Sequence, residues 1–282
     1  MPELPEVETI KRGLSKFIIK KKLTKTTILC AKSFVGTPVT GTVKAIRRFG
    51  KALIIDLDNG KSLMIHLRMT GQLIYDGKER FAAGHPSDNF IDELPNKQTR
   101  VVLEFDYEPL FFNDQRKFGF IKVIDTNKVE QDTFIKKLAK EPWQMTSDEF
   151  YEKLQKHKNS PIKAVILDQT IICGLGNIYA DESLFMSKIH PATKAGALTK
   201  KEASTLLDMA AKAMDTAIAS GGSTMKDYVK ADGTKGDYLD KFAQIFNRTG
   251  KPCLVCGTKI EKIRVAGRGT HICPNCQRRK DD

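Results

Sequence analysis

The chain opens with Met1–Ile18, "MPELPEVETIKRGLSKFI", and the reading of this stretch governs the rest. Val7, Ile10, Leu14, Phe17 and Ile18 recur at helical spacing, which predicts a helix with one buried face. Pro5 suits the first helical position, and Glu6 and Glu8 complement the positive end of the helix dipole. Pro2 and Glu3 therefore lie just ahead of a helix start. A small second residue permits removal of Met1, which would leave Pro2 as a free secondary amine beside a carboxylate. An α-amine ordinarily titrates at about 7.7–8.0, and a nearby helix N-terminus further disfavours its protonated form. Adjacent residues would then supply a nucleophile and a proton donor and acceptor.

Short β-type runs separated by turn signals follow the helix. "KALIIDL", "DNG" and "KSLMIHLRM" predict one hairpin, and "RVVLEF", "DYEP" and "LFF" a second. Further on the pattern becomes helical. "TSDEFYEKL" opens with Thr146 and Glu149 as a capping box, and "SPIKAVILDQ" with Ser160 as N-cap and Pro161 in the first turn. A long helical run then extends from Thr199 to a stop at Gly221 and Gly222. The expectation is a multidomain α+β protein in three segments. These are a β-sandwich with a leading helix over 1–127, a helical segment over 128–245 and a small cysteine-bearing hairpin over 246–282.

With 282 residues, 40% of them hydrophobic, the chain can fill real cores. Forty-seven Lys and Arg against 34 Asp and Glu leave a formal charge of +13, which favours a polyanionic partner, nucleic acid in the simplest case. No targeting signal and no membrane-spanning run is legible, so a cytoplasmic protein without membrane contact is expected. Four of the six cysteines form two tight pairs while Cys30 and Cys173 stand alone, which suits metal ligation in a reducing compartment better than disulfides.

Those pairs are Cys253, Cys256, Cys273 and Cys276, spaced C-x2-C-x16-C-x2-C. Two such knuckles on a β-hairpin place four thiolates around one Zn²⁺, and a site closed by four thiolates is structural because no coordination position is left for substrate. Between them "IRVAGRGTH" carries Arg264 and Arg268 near the hairpin turn, where a phosphate contact is expected. In "DQTIICGLGNIYADESLF", Gly174 and Gly176 permit a sharp turn between helices, and Asn177 fits the N-cap of the second, an anion site at a helix N-terminus.

Together "PELPEVET", "CGLGNIYADESLF" and the four-cysteine finger with "AGRGTHICPNCQ" resemble bacterial formamidopyrimidine-DNA glycosylases, which excise oxidised purines. The resemblance spans nearly the whole chain. It implies an N-terminal β-sandwich, a helix–two-turn–helix domain and a zinc finger, acting as a monomer on double-stranded DNA that contains oxidised bases or abasic sites, close to the bacterial nucleoid. Carried over by motif, Pro2 becomes the nucleophile, Glu3 the general acid and base, and Glu6 a supporting carboxylate. Lys51 in "FGKAL" and Arg268 hold phosphate close to the chemistry, and Lys163 and Asn177 make further backbone contacts. Met69 in "LRMTG" and Arg116 and Phe118 in "DQRKFG" match the wedge that fills the gap left by an extruded nucleotide.

The sequence departs from the family at "NKQTR", where relatives carry a Lys-His-Asp-His stretch. Arg100 is the candidate to replace the lost histidine contact, and "RFAAGHPSDNFIDELPNKQ" ahead of it is left without an assignment. The Gly/Lys/Asp-rich segment from Gly221 to Tyr238 is expected to read the lesion. Two other functions compete. Endonuclease VIII-type enzymes, which act on oxidised pyrimidines, share the architecture but begin Pro-Glu-Gly-Pro, and Leu4 argues for the purine branch. A non-enzymatic zinc-bearing DNA-binding protein would explain the charge and the finger but not "MPELPE".

Overall fold

The protein is described from a computed structural model, which covers residues 2–84, 93–222 and 238–280. It divides into two compact units, Met1–Lys136 with Ile218–Asp237, and Lys137–Ala217 with Tyr238–Asp282. The helical and cysteine-bearing segments, separate in the sequence reading, thus fall within one unit.

The first unit begins with α1 (Leu4–Ile18), followed by β1 (Lys22–Ile28), β2 (Phe34–Val35), β3 (Gly41–Phe49), β4 (Ala52–Leu57) and β5 (Lys61–His66). The strands continue with β6 (Gly71–Asp76), β7 (Arg80–Gly84), β8 (Thr99–Phe105), β9 (Glu108–Asp114) and β10 (Phe120–Asp125). One leaf runs β1-β8-β9-β6-β7 and the other β3-β4-β5-β10-β2. A short antiparallel pairing of Lys22 and Leu23 with Thr42 and Gly41 joins them. Both predicted hairpins are present. The β8–β9 turn places Asp106 and Tyr107 at φ 47° and 72°, the two-residue turn whose twist matches flanking strands.

Inward-facing residues of both leaves, among them Leu53, Ile65, Leu73, Val101, Leu103 and Phe112, share one apolar core. Val7, Ile10, Leu14 and Ile18 of α1 join it, as their spacing predicts. Each large aliphatic or aromatic side chain so buried contributes about 1.5–3 kcal/mol. The helix lies close to β7 because residue 13 is glycine: a Cβ there would stand 2.1 Å from the Phe81 ring.

The second unit contains α2 (Ser147–Lys156), α3 (Ile162–Leu167), α4 (Asn177–Met186), most of α5 (Lys200–Ala219), and a hairpin of β11 (Glu261–Val265) and β12 (Arg268–Ile272). Thr146 and Glu149 cap α2 reciprocally at 3.2 and 3.0 Å, as expected from their spacing. Helix α3 starts one residue later than its sequence suggests, with Pro161 rather than Ser160 as N-cap. Phe185, Ile245, Ile260, Cys253 and Cys273 form a small apolar cluster that ties α4 to the cysteine-bearing segment.

Candidate active site and metal centre

At the N-terminal edge of the first unit, Pro2 and Glu3 are buried ahead of α1, with Glu3 as its N-cap. The helix begins at Leu4, so Pro5 sits in its first turn, where a missing N–H costs nothing. The Glu6 carboxylate turns back to accept the backbone N–H of Glu3 at 2.8 Å. This capping bond fixes the chain direction at the two residues assigned to catalysis. The α5 stop also returns here: a Cβ on Gly222, at φ +94°, would lie 3.4 Å from Glu6 Oε1. Of the expected lesion-reading segment, residues 223–237 lie outside the described residues, as do 85–92 of the unassigned stretch.

Lys51 occupies the tight β3–β4 turn and is only 8% exposed. Its position is braced by a residue the sequence reading took only as a dipole partner. Glu8 accepts hydrogen bonds from Arg48 Nε at 2.9 Å and Arg12 Nε at 3.0 Å, and Arg48 also donates to the Gly50 carbonyl at 3.1 Å. Burial works to raise the Glu8 carboxyl, but the two arginines and the Lys11 charge outweigh it and hold it below the usual range. Glu8 thereby links α1 to the Lys51 turn.

His66 was not anticipated. It is buried at the end of β5, paired with Ala52 beside Lys51 and packed on Phe120 and Phe134. Burial, with help from the Arg68 and Lys51 charges, pushes its imidazole down to about 3, so it is neutral at physiological pH. Its Nδ1 accepts the Arg68 backbone N–H at 3.0 Å, which leaves Nε2 as the protonated nitrogen. No local sequence pattern marks it; only the strand register brings it to the lysine.

Met69 is half-buried in the β5–β6 turn, and Arg116 and Phe118 are exposed in the β9–β10 turn. The Arg116 guanidinium lies 4.8 Å from the Phe118 ring centroid. Arg100, considered above as a replacement contact, is instead buried: it donates to the Asp114 carbonyl at 2.7 Å and the Lys97 carbonyl at 3.0 Å. Its charge is engaged in holding the β8–β9 end together.

In the second unit Asn177 is the first residue of α4 and Gly176 is the N-cap, which shifts the expected anion site by one position. Gly176 takes the extended cap conformation, and the Asn177 amide is thereby free to reach the hairpin, donating to the Gly269 carbonyl at 3.0 Å. Lys163 is fully buried. Its ammonium donates to Asp181 Oδ1 at 2.6 Å, Thr270 Oγ1 at 2.8 Å and the Gly269 carbonyl at 3.2 Å. The other Asp181 oxygen accepts the His271 backbone N–H at 2.9 Å. Lys163 and Asn177 therefore converge on the strand that presents Arg268, which is exposed directly after the Ala266–Gly267 turn.

Glu182, also missed, accepts the backbone N–H groups of Gln244, Ile245 and Phe246 at 2.8–3.0 Å and anchors the entry to the cysteine-bearing segment. Burial raises its carboxyl above the ordinary range despite those three bonds.

The four thiols of Cys253, Cys256, Cys273 and Cys276 lie within 4.8 Å of one another. Three of the pairs measure 3.4, 3.5 and 3.9 Å. A tetrahedron with Zn–S bonds of about 2.3 Å has edges of about 3.8 Å, so the donor set fits zinc. Backbone N–H groups of Val255 and Cys276 point at Cys253 and Cys273 sulfurs at 3.4 Å, a second layer that favours thiolates.

Three family models match the chain: the formamidopyrimidine-DNA glycosylase N-terminal domain over 1–121, its H2TH domain over 138–229, and the zinc finger found in FPG and IleRS over 250–279. With the cysteine geometry, the last assigns one structural zinc. The formamidopyrimidine-DNA glycosylase of Ligilactobacillus salivarius is 39% identical over 98% of this chain and 99% of its own. That of Streptococcus pneumoniae is 39% identical over 99% and 100%. Among solved structures, the Lactococcus lactis enzyme bound non-covalently to DNA with an abasic site is 33% identical, with a TM-score of 0.85 over 99% of this chain and 100% of that one. The MutM (Fpg) protein of Thermus thermophilus is 32% identical, also with a TM-score of 0.85, over 99% of both chains. Family models and relatives agree along the full length, and the chain belongs to the formamidopyrimidine-DNA glycosylase family.

Proposed function

We propose that this chain is a base-excision repair enzyme that removes oxidised purines such as 8-oxoguanine and formamidopyrimidines from duplex DNA, then cleaves the strand. The observation that carries the reading is the buried Pro2–Glu3 pair, its backbone held by Glu6 at a capped helix start, in a full-length family member. After loss of Met1 the Pro2 amine attacks C1′ of the damaged nucleotide and the glycosidic bond breaks, with the electron pair and a proton going to the departing base. Glu3 protonates the sugar ring oxygen as the ring opens. The resulting iminium acidifies C2′–H. Loss of that proton expels the 3′ phosphate, and a second elimination expels the 5′ phosphate, so one nucleophile serves both glycosylase and lyase steps.

Guanine and 8-oxoguanine differ at N7, which bears a proton only in the lesion. A carbonyl offered to N7 would favour the lesion, because guanine would meet it lone pair to lone pair. Residues from Gly221 to Tyr238 are assigned that task. Lys51 and Arg268 hold backbone phosphates, Asn177 a further one, and Lys163 acts through the Gly269–Thr270 strand that it grips from inside. The enzyme works as a cytoplasmic monomer, at the nucleoid when bound to DNA. Among the described residues no helix is long and apolar enough to cross a membrane.

Two variants separate chemistry from binding. Glu3→Gln keeps the side chain's shape without its proton transfer, so it should bind lesion duplex like wild type and fail to release base. Arg268→Ala should weaken binding to damaged and undamaged DNA alike and reduce the log–log salt slope by about one. With enzyme in excess over DNA, single-turnover excision should recover for Arg268→Ala only. Recovery of Glu3→Gln would reduce that carboxylate to a DNA-positioning group.

A further inference from the structure

Met69 and the pair Arg116 and Phe118 come from turns well separated in sequence, yet a wedge must enter the duplex as one body. The two turns are joined by a single buried carboxylate, that of Asp114, which is 0% exposed. Its Oδ1 accepts the Thr70 hydroxyl proton and the Arg116 backbone N–H, the latter at 3.2 Å. Its Oδ2 accepts the Gly119 backbone N–H at 2.7 Å. Thr70 completes the ring, because its hydroxyl oxygen also accepts the Arg116 N–H at 3.0 Å. Thus the residue after Met69 is bonded to the backbone of Arg116, and the residue after Phe118 to the same carboxylate.

The backbone around these groups needs such a clamp. Arg68, just before Met69, and Lys117, between Arg116 and Phe118, take φ values of 52° and 56°, a left-handed conformation that L side chains disfavour. Gly119 is packed so closely that a Cβ would stand 2.7 Å from the Phe112 ring and 3.0 Å from the His66 carbonyl. Behind the clamp, Arg100 Nε donates to the Asp114 carbonyl and fixes the carboxylate's own backbone.

We propose that Asp114, through Thr70, is a positioning residue that locks the two wedge turns into one rigid element, so that base extrusion, rather than bond cleavage, depends on it. This rests on the wedge reading of Met69, Arg116 and Phe118. An abasic site has no base to extrude, and lyase cleavage there depends less on the wedge than excision of a stacked lesion does.

The test compares lesion excision from duplex with strand cleavage at an abasic site, both under single-turnover conditions, in folded full-length protein. Thr70→Val removes the bridging hydroxyl and keeps the side chain's shape. It should lower the ratio of lesion excision to abasic cleavage by about tenfold, the size expected when one hydrogen bond to a buried charge is lost. It should slow the fluorescence rise of a 2-aminopurine placed beside the lesion to the same extent. Thr70→Ser should restore both. Asp114→Asn should lower the ratio further, since in either amide orientation its NH₂ meets backbone or hydroxyl donors. If Thr70→Val reduces the two activities in equal proportion or leaves the ratio unchanged while Met69→Ala lowers it, the lock is wrong and the wedge stands. If Met69→Ala and Phe118→Ala also leave the ratio unchanged, the wedge reading falls, and this inference with it.

Discussion

Lys51 and Lys163 are both buried lysines, the first proposed to hold phosphate and the second to hold the strand that presents Arg268, and the two units fix them in different ways. Lys51 sits on a tight turn between strands whose inner faces belong to a large apolar core, and the Glu8–Arg48 pair braces that turn through the Gly50 carbonyl. Lys163 is fully buried on α3, where Ile162, Val165 and Ile166 are buried too. Its ammonium is fixed by Asp181, Thr270 and the Gly269 carbonyl, beside a small apolar cluster in which two members are zinc-ligating cysteines. The sandwich fixes its lysine with a strand turn over a large apolar core and a Glu8–Arg48–Gly50 brace, whereas the second unit presents its hairpin arginine with a metal site and a buried ion pair.

Removing the metal should separate the two units most. Cys273→Ser should lose zinc by metal analysis and, because such sites contribute on the order of 10 kcal/mol to folding small fingers, weaken lesion-duplex binding by more than about 100-fold. The sandwich should keep its own unfolding transition in calorimetry. If both units melted together at a lowered temperature, the claimed independence of the sandwich from the metal would be refuted.

Next in size is the ion pair. Asp181→Ala leaves the Lys163 ammonium buried without its carboxylate and should destabilise the second unit by about 3–5 kcal/mol in urea titration. The double variant Lys163→Met with Asp181→Asn should recover much of that loss, since Asn can still accept the His271 N–H. Equal loss in single and double variants would mean that the pair is not what holds the strand.

Against these, the first unit should respond to pH through His66. Its folded-state value near 3 lies below the ordinary 6.5, so between these values the unfolded chain binds the extra proton. The stability it contributes is complete above about pH 6.5 and declines as pH falls toward 3. His66→Gln should therefore flatten the acid branch of the stability curve, with about 2 kcal/mol less loss than wild type between pH 7 and pH 5. An unchanged acid branch would show that His66 is protonated in the folded protein.

Much of this was legible in the sequence, where spacing carried the signal. The finger follows from four cysteines, α1 from its apolar period, α2 from Thr146 and Glu149, and both hairpins from their turn residues. Local rules misplaced the starts of α3 and α4 by one residue, because Pro161 and Gly176 themselves take the cap conformation. What stayed hidden is non-local. The resemblance gives Lys163 a DNA backbone contact, and only the fold shows it buried against Asp181, 18 residues on, and Thr270, 107 residues on. Asp114 and His66 carry no local signal, and only the strand register brings them to their partners.

If Pro2, freed by loss of Met1 and held with Glu3 at the start of α1, is the nucleophile, borohydride will trap it on DNA. Zinc-loaded protein lacking Met1, mixed with 8-oxoguanine duplex and borohydride, should yield a covalent protein–DNA adduct, because hydride reduces the iminium to a stable amine. Peptide mapping should place the adduct on Pro2, and protein that retains Met1, where that nitrogen is an amide, should give none. An adduct on a lysine such as Lys51, or no adduct with fully processed enzyme, would contradict the account.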